Sequence, residues 1–250
     1  MFNDIELYKL MKNKNILVIT PTYNEADNIA QFISAVLERN VSLLIVDDNS
    51  PDGTGDIVNN LKNKYEYLFS IHRKEKLGLG SAYKEGFSWG IKNGFQYIVE
   101  MDADFSHRLE DLDNLIENAN KADLVLGSRY IPGGGSIGWD RKRKLLSSSA
   151  NFLTKLVIGT HTKDITSGFR LYSTSSLNTV GYENVSSDGY AFQIEMLYLY
   201  FIKNMKVIEV PIQFEERRLG KSKMSNKIIY EAIQLLLKLI MQRIKKRFFS

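Results

Sequence analysis

Residues 97–104 read YIVEMDAD and join a short apolar strand to two carboxylates. The run from Tyr97 to Met101 predicts a buried β-strand. Asp102 and Asp104 follow at i and i+2, a spacing that places both side chains on one side of an extended segment. Such a pair can hold a hard divalent cation and leave coordination positions for phosphate oxygens. An Asp-x-Asp motif by itself is more often part of a solvated loop before a helix. Other motifs are therefore needed to distinguish a metal site from such a loop.

Apolar runs alternate with amphipathic segments on both sides of this stretch. The pattern predicts strands at residues 16–20, 43–47, 67–71, 97–101 and 124–127, and helices at 28–39, after Gly53, at 81–93 and at 110–119. This alternation predicts an α/β fold with a mainly parallel, Rossmann-like sheet and helices on both faces. Ligands of such sheets bind at the carboxyl ends of the strands.

The regular alternation ends after Gly127. A flexible stretch at 132–135 and four basic residues at 141–144 lead into a helix predicted to end near Val157, and a loop of this length is typical of a lid or binding loop. The rest predicts a strand at 169–172, a helix at 190–204, a strand at 207–210 and a long last helix. With no internal repeat or linker, we predict one domain over 1–226 and a C-terminal amphipathic helix over 227–250.

The composition is that of a folded protein with one core, since 44% of the 250 residues are hydrophobic and 25% are charged. The absence of cysteine excludes a disulfide framework, a thiolate nucleophile and any metal site built on sulfur. No apolar run approaches the length that a membrane-spanning helix needs, and no secretory segment is recognisable at the N-terminus. We therefore expect a chain that does not span a membrane.

The charge is distributed unevenly along the chain. Residues 217–250 contain ten Lys or Arg and one acid, Glu231, so they carry +9, while residues 1–216 carry −5 of the net +4. The predicted last helix has an apolar stripe and a basic face, which fits an in-plane membrane anchor or a helix packed on the body or on a second subunit. The stripe consists of Ile229, Ile233, Leu236, Ile240 and Ile244, widened by Leu235, Leu237 and Leu239. Because the acidic body offers no basic groove, we expect no nucleic-acid partner.

Polar residues also follow the first two predicted strands. Tyr23 and Glu25 come after the first strand, while Asp47 and Asp48 end the second and lead into turn residues. Carboxyl ends of parallel strands meet at one edge of a sheet, so these side chains should lie near the acid pair at 102 and 104. Several acids around one crevice suggest a phosphate–metal complex rather than an acid–base dyad.

Three motifs follow the predicted strands in order, PTYNE at 21–25, VDDNSPDGT at 46–54 and DAD at 102–104. In these motifs the chain resembles the inverting family 2 glycosyltransferases of GT-A fold. Further motifs are LGLGSAY at 77–83, GSRY at 127–130, GWD at 138–140, DITSGFR at 164–170, GYAFQIEM at 189–196, VPI at 210–212 and GKSKM at 220–224. These resemble motifs of the dolichyl-phosphate mannosyltransferases. The resemblance extends from residue 15 to residue 226.

The resemblance implies a donor site for GDP-mannose. The positions that would surround the guanosine are Pro21, Tyr23, Glu25, Val46 and Asp48. Asp102, Ala103 and Asp104 would take the diphosphate, with the two aspartates as ligands of Mg²⁺ or Mn²⁺. Arg217, or its neighbour Arg218, and Lys223 belong to a late loop that would close over the donor.

The resemblance also implies a lipid acceptor, a dolichyl or other polyprenyl phosphate. Arg129 and Arg170 would contact its phosphate, for which the planar guanidinium is well suited, and Arg129 would also border the donor. With Asp102 and Asp104, these arginines form the predicted catalytic set. Ser106 stands two residues after Asp104, where relatives often have Gln or Ser, and its role as a ligand is left open.

The implied reaction is a single in-line displacement with inversion, giving a β-linked mannosyl phosphate and GDP. An ionised phosphate can attack without a strong base, so electrostatic stabilisation of the leaving diphosphate should supply most of the catalysis. We expect a peripheral membrane enzyme at the cytoplasmic face, with a membrane-embedded partner or a homo-oligomer left open. The alternatives are a UDP-glucose-dependent polyprenyl-phosphate glucosyltransferase and a non-catalytic peripheral membrane protein.

Two further patterns in the sequence do not predict a functional site. The GLG at 78–80 does not follow the first strand, so it does not predict a dinucleotide-binding fingerprint. His72, His107 and His161 lack metal-ligand spacing, and we expect them at the surface.

Overall fold

A computed structural model describes residues 15–216 and 234–237 of the chain. Within these residues the strands are β1 (Ile16–Thr22), β2 (Ser42–Asp47), β3 (Leu68–His72), β4 (Tyr97–Glu100), β5 (Leu124–Ser128), β6 (Gly135–Ile137), β7 (Arg170–Ser173), β8 (Val207–Pro211) and β9 (Gln213–Glu215). The helices are α1 (Ala26–Leu37), α2 (Thr54–Lys62), α3 (Leu79–Lys92), α4 (Leu109–Glu117), α5 (Arg141–Ile158), α6 (Thr174–Val180) and α7 (Gly189–Ile202). The predicted bounds that the structure tests lie within two residues of these.

Seven strands form the main sheet in the order β3-β2-β1-β4-β7-β5-β8. Strands β3, β2, β1 and β4 are parallel neighbours, and so are β5 and β8. Strand β7 runs antiparallel between β4 and β5. The predicted mainly parallel α/β sheet is therefore confirmed, with one reversed strand that periodicity alone does not reveal.

Both faces of the sheet are covered, which explains why the strands are apolar without alternation. Leu17 and Ile19 of β1 point into a cluster with α3, α6 and α7. Ile16 and Val18 point to the opposite face, where α1, α2 and α4 pack. The strands whose carboxyl ends carry the polar residues are thus packed on both faces.

The stretch at 132–135, predicted to be flexible, leads directly into a strand. Gly135–Ile137 pairs in parallel with Gln213–Glu215 to form a second, two-stranded sheet. Glu215 also donates its backbone N–H to the carbonyl oxygen of Ser106 at 3.0 Å. This small sheet brings residues 135–140 and 213–216 over the carboxyl edge of the main sheet.

Most of the predicted C-terminal helix lies outside the described residues, and so do Arg217 and Lys223. Residues 234–237 are helical. Leu235 is buried and packs with the cluster on the α3, α6 and α7 face, whereas Leu237 is exposed. At this turn the helix therefore packs on the body. Among the residues that the structure describes, no helix is both long and apolar enough to cross a bilayer.

Candidate active site

A cavity of about 440 Å³ opens where β1, β4 and β5 end. Predicted site residues that line it are Pro21, Glu25, Asp102, Ala103, Asp104 and Arg129. Its other walls come from α3, α5, α7, the small sheet and the residues that directly follow its two strands. These contribute, among others, Tyr83, Trp139, Arg143, Gln193, Phe214 and Glu216. The structure therefore gathers the acid pair and one of the two predicted catalytic arginines, Arg129, around a single space.

The acid pair is held by its own loop. Asp104 is buried, and its Oδ1 accepts hydrogen bonds from the Ser106 hydroxyl at 2.6 Å and the Ser106 backbone N–H at 3.0 Å. Phe105, between Asp104 and Ser106, has φ +59° and so lies in the left-handed region. Asp102 is half-buried at the cavity wall. The sequence left the role of Ser106 open, and the structure shows that it orients Asp104 through hydrogen bonds to Oδ1.

His107 is buried, so its predicted surface position is wrong. Its ring stacks on Phe169 with a centroid distance of 4.6 Å, and its Nδ1 accepts the backbone N–H of Asp102 at 3.3 Å. This contact assigns the proton of a neutral ring to Nε2. The loop after Asp104 folds back under the acid pair, which sequence spacing does not show. The surface prediction is confirmed for His72 and His161, which are exposed.

The donor set at this edge suits a hard divalent cation with an incomplete protein shell. Asp102 and Asp104 supply carboxylate oxygens, and the described residues contain no group of three His, Cys, Asp or Glu that could enclose an ion. Mg²⁺ commonly keeps one or two carboxylates and takes its other oxygens from water and substrate phosphates. The residues present fit that pattern.

Arg129 is nine-tenths buried and held in a fixed orientation. Its Nε and Nη2 each donate to the Asp164 carboxylate at 2.7 Å, and Nη2 also donates to Thr166 Oγ1 at 3.0 Å. Burial alone would lower the pKa of Arg129, but the Asp164 carboxylate outweighs it and the pKa is raised. Arg129 is thus a permanent cation in the cavity wall.

Aromatic rings surround the guanidinium of Arg129. Its Cζ lies 5.2 Å from the Trp139 ring centroid and 5.5 Å from that of Phe214. The Trp139 ring also carries Arg143 on it at 4.3 Å. Trp139 Nε1 is buried, with no hydrogen-bond partner among the described residues. Trp139 belongs to the GWD motif, but the sequence assigns it no role, because only the pairing of β6 with β9 brings it to Arg129.

Arg170 does not reach the cavity, and the prediction that it contacts the acceptor phosphate is wrong. It is completely buried, with Nε, Nη1 and Nη2 donating to the carbonyl oxygens of Ser167, Gln193 and Ile165 at 2.7, 2.9 and 2.7 Å. Position 170 pairs with Glu100 across β7 and β4. Burial raises the pKa of Glu100 to about 7, with the charge of Arg170 and the hydrogen bond from Gln193 opposing the rise. Arg170 instead joins the backbone of Ser167, Gln193 and Ile165 through these hydrogen bonds.

Three of the predicted guanosine residues lie outside the cavity lining. The Val46 side chain is completely buried in the core, so any contact with a nucleoside would come from its backbone, and that contact stays a prediction. Asp48 accepts from Arg73 Nη1 at 2.6 Å and from the Gly78 N–H at 3.0 Å, which ties β2 to the start of α3. Tyr23 is half-buried, with Lys76 Nζ 3.7 Å from its ring centroid. Nucleoside contacts of Asp48 and Tyr23 stay predictions.

The strand order, the acids at the strand ends and the buried arginine define a glycosyltransferase of GT-A fold. The model of the family "Glycosyl transferase family 2" matches residues 17–181, and the chain belongs to this family.

Two curated relatives match most of the chain. An undecaprenyl-phosphate mannosyltransferase of Micrococcus luteus is 41% identical over 87% of this chain and 90% of its own length. A polyprenol monophosphomannose synthase of Mycolicibacterium smegmatis is 42% identical over 87% of this chain and 83% of its own.

Solved structures share the fold at lower identity. The glucosyl-3-phosphoglycerate synthase of Mycobacterium tuberculosis, solved with Mn²⁺ and UDP-glucose, is 17% identical with a TM-score of 0.66, covering 96% of this chain and 84% of its own. The mannosyltransferase PcManGT of Pyrobaculum calidifontis, solved with GDP-mannose and Mn²⁺, is 18% identical with a TM-score of 0.52 and covers 92% and 64%. These likenesses support the GT-A fold.

Proposed function

We propose that this chain transfers mannose from GDP-mannose to the phosphate of a polyprenyl phosphate, with inversion at the anomeric carbon. The observation that carries the proposal is the identity of 41% and 42%, over 87% of the chain, to two enzymes named as polyprenyl-phosphate mannosyltransferases. The cavity is consistent with this reaction, because it presents carboxylates at the end of β4 and a buried cation after β5.

Asp102 and Asp104 are the residues that would hold Mg²⁺ or Mn²⁺. When bound, the ion would offset the charge of the diphosphate leaving group. Ser106 supports this role, since its two hydrogen bonds fix one oxygen of Asp104. We place the nucleoside beyond these acids, near Pro21, Tyr23, Glu25 and Asp48. Closure by Arg217 and Lys223 remains part of the proposal.

Arg129 is the group that we assign to the acceptor phosphate. Asp164 and Thr166 engage its Nε and Nη2, which leaves Nη1 outside this set of contacts. A guanidinium in a poorly hydrated wall binds an anion more strongly than one in bulk water. The bound phosphate is ionised near neutral pH, so its oxygen can attack the anomeric carbon without transferring a proton. The roles of the chain are to hold two anions in line and to exclude water.

A lipid acceptor requires contact with a bilayer, and α5 offers a suitable surface. Asp140 caps its N-terminus by accepting the Arg143 N–H at 2.6 Å. The helix contains five basic and no acidic residues. Its apolar residues Leu145, Phe152, Leu153 and Leu156 are 57–71% exposed. We propose that this face lies on an anionic membrane surface at the cytoplasmic side, where apolar and basic side chains both gain contacts.

The test is a transfer assay with the purified full chain, GDP-mannose labelled in the sugar, and polyprenyl phosphate in vesicles. We expect a labelled lipid product and GDP when Mg²⁺ or Mn²⁺ is present, and loss of both with a chelator. The configuration of the product is read by NMR, with β expected. Turnover of UDP-glucose in place of GDP-mannose, or full activity without a divalent ion, would contradict the proposal.

A further inference from the structure

Gln193 is held at two points by charged residues that are completely buried. It lies on α7, is 2% exposed and forms part of the cavity wall. Its Nε2 donates to Glu100 Oε2 at 2.8 Å, and its backbone carbonyl accepts from Arg170 Nη1 at 2.9 Å. Glu100 and Arg170 are cross-strand neighbours on β4 and β7. The position of this amide is therefore fixed before any ligand enters.

The other end of the Gln193 side chain lacks a partner. Its Oε1 is buried and accepts no hydrogen bond from the described residues. Buried acceptors without a donor are rare in folded proteins, because the lost hydration is not repaid. In this orientation Nε2 is used by Glu100 Oε2, so Oε1 is the side-chain atom that remains without a partner among the described residues. An acceptor held in this way at a cavity wall fits a ligand that supplies the donor.

The sheet order indicates which part of a ligand lies there. Strand β7 runs between β4 and β5. Asp102 and Asp104 follow β4, and Arg129 follows β5. Gln193 is anchored on β4 and β7, so it lies between the acids assigned to the diphosphate and the arginine assigned to the acceptor. The space between those two anions is where the transferred sugar must sit. Phosphate oxygens are acceptors and cannot satisfy Oε1, whereas a sugar hydroxyl can.

We propose that Gln193 is a specificity-determining residue, whose Oε1 accepts a hydrogen bond from one hydroxyl of the transferred hexose. Glu100 is the positioning residue that aims this oxygen by accepting the Nε2 hydrogen. The assignment rests on the proposed function, because it takes the ligand to be a sugar nucleotide.

The experiment compares wild type with Gln193→Met, which keeps the side-chain length and removes both polar atoms. The donors are GDP-mannose and its 2-, 3-, 4- and 6-deoxy analogues. We expect the variant to lose about tenfold in kcat/KM for GDP-mannose. We also expect it to treat one deoxy analogue no worse than GDP-mannose, although wild type discriminates against that analogue about tenfold. Comparing the two proteins cancels the intrinsic reactivity of each analogue.

Binding of GDP, which lacks the sugar, reports whether the variant is folded. Its Kd should be unchanged in Gln193→Met, since a damaged site would weaken GDP as well. Gln31→Met makes the same chemical change at an exposed position of α1 and should behave as wild type. If Gln193→Met retains every deoxy penalty of wild type, the proposal is overturned.

Glu100 is tested through its conservative replacement. Glu100→Gln keeps an acceptor for Gln193 Nε2 and should stay within about threefold of wild type. Glu100→Leu should reproduce the analogue pattern of Gln193→Met, and the double variant should lose no more than either alone. Additive losses would overturn the positioning role.

The outcome also separates this inference from the proposed function. If wild type transfers no mannose, the proposed function fails. Calorimetric titrations with GDP-mannose and with GDP then test the contact between Gln193 and the sugar without requiring transfer. The gain in affinity contributed by the sugar should disappear in Gln193→Met, and an equal gain in both proteins would overturn the inference.

Discussion

Asp164 holds Arg129 through both of its carboxylate oxygens, with Nε and Nη2 of the guanidinium each 2.7 Å away. Asp164 also accepts the backbone N–H of Arg129 at 2.9 Å. Its own backbone N–H donates to Glu209 Oε1 at 3.0 Å, which ties this loop to β8. Arg129 is thus a cation with a set direction.

Asp164→Asn should disturb the orientation of the Arg129 guanidinium. The neutral amide presents an N–H toward the guanidinium and leaves a buried charge without compensation, so we expect a loss of about 3 kcal/mol in the free energy of unfolding. The KM for polyprenyl phosphate should rise at least tenfold while GDP affinity stays unchanged. Chemical denaturation and transfer kinetics measure these effects. Asp113→Asn, which breaks a half-exposed pair with Arg39, should cost less than about 1 kcal/mol and leave the KM unchanged.

Asp102→Ala and Asp104→Ala should each lower turnover by about 10²-fold or more, because each removes a carboxylate from the diphosphate end of the cavity. Transfer assays across a range of Mg²⁺ and Mn²⁺ concentrations check this. Asp56→Ala, at an exposed position of α2, provides the matched control and should retain activity. Near-normal turnover in either cavity variant would remove these residues from the proposed metal site.

Ser106→Ala should have a smaller effect than loss of the acid that it orients. The backbone N–H of Ser106 still donates to Asp104 after the change, so only one of two hydrogen bonds is lost. We expect turnover to fall about tenfold and half-maximal activity to require more metal. Titration of activity with Mn²⁺ provides the measurement, with the exposed Ser175→Ala as control. An unchanged metal requirement would show that the hydroxyl does not orient Asp104 for the ion.

The strand ends were the part of the site that the sequence could predict. Asp102 and Asp104 follow an apolar run directly, and parallel topology brings them to the edge where Pro21, Glu25 and Arg129 also lie. Such positions depend on local periodicity, which a single sequence contains.

The wrong predictions concern side chains whose burial depends on segments that are distant in the sequence. Arg170 lies within a predicted strand, but the direction of its side chain is set by the carbonyl groups of Ser167, Ile165 and Gln193. His107 is buried because Phe169 and Phe214 close over it. Trp139 reaches Arg129 only through a small sheet that links residues far apart in the chain. Partners of this kind have no spacing rule that would reveal them.

The exposed face of α5 makes the proposed membrane contact separable from catalysis. Replacing Leu145, Phe152 and Leu156 with Gln removes three apolar side chains and leaves the basic residues and the helix propensity in place. Each loss should cost about 1 kcal/mol of partitioning, so binding to anionic vesicles should fall at least tenfold in a sedimentation assay. Transfer to polyprenyl phosphate in vesicles should fall in parallel.

Transfer to a short, water-soluble isoprenyl phosphate should persist in this triple variant, because the cavity is untouched. Phe201→Gln with Ile202→Gln removes two exposed apolar residues at the end of α7 and serves as the control, with vesicle binding retained. The C-terminal segment is present in every protein compared, so its own contribution cancels. Full vesicle binding by the triple variant would show that α5 does not meet the bilayer, and equal loss on both acceptors would show that the changes act on the active site instead.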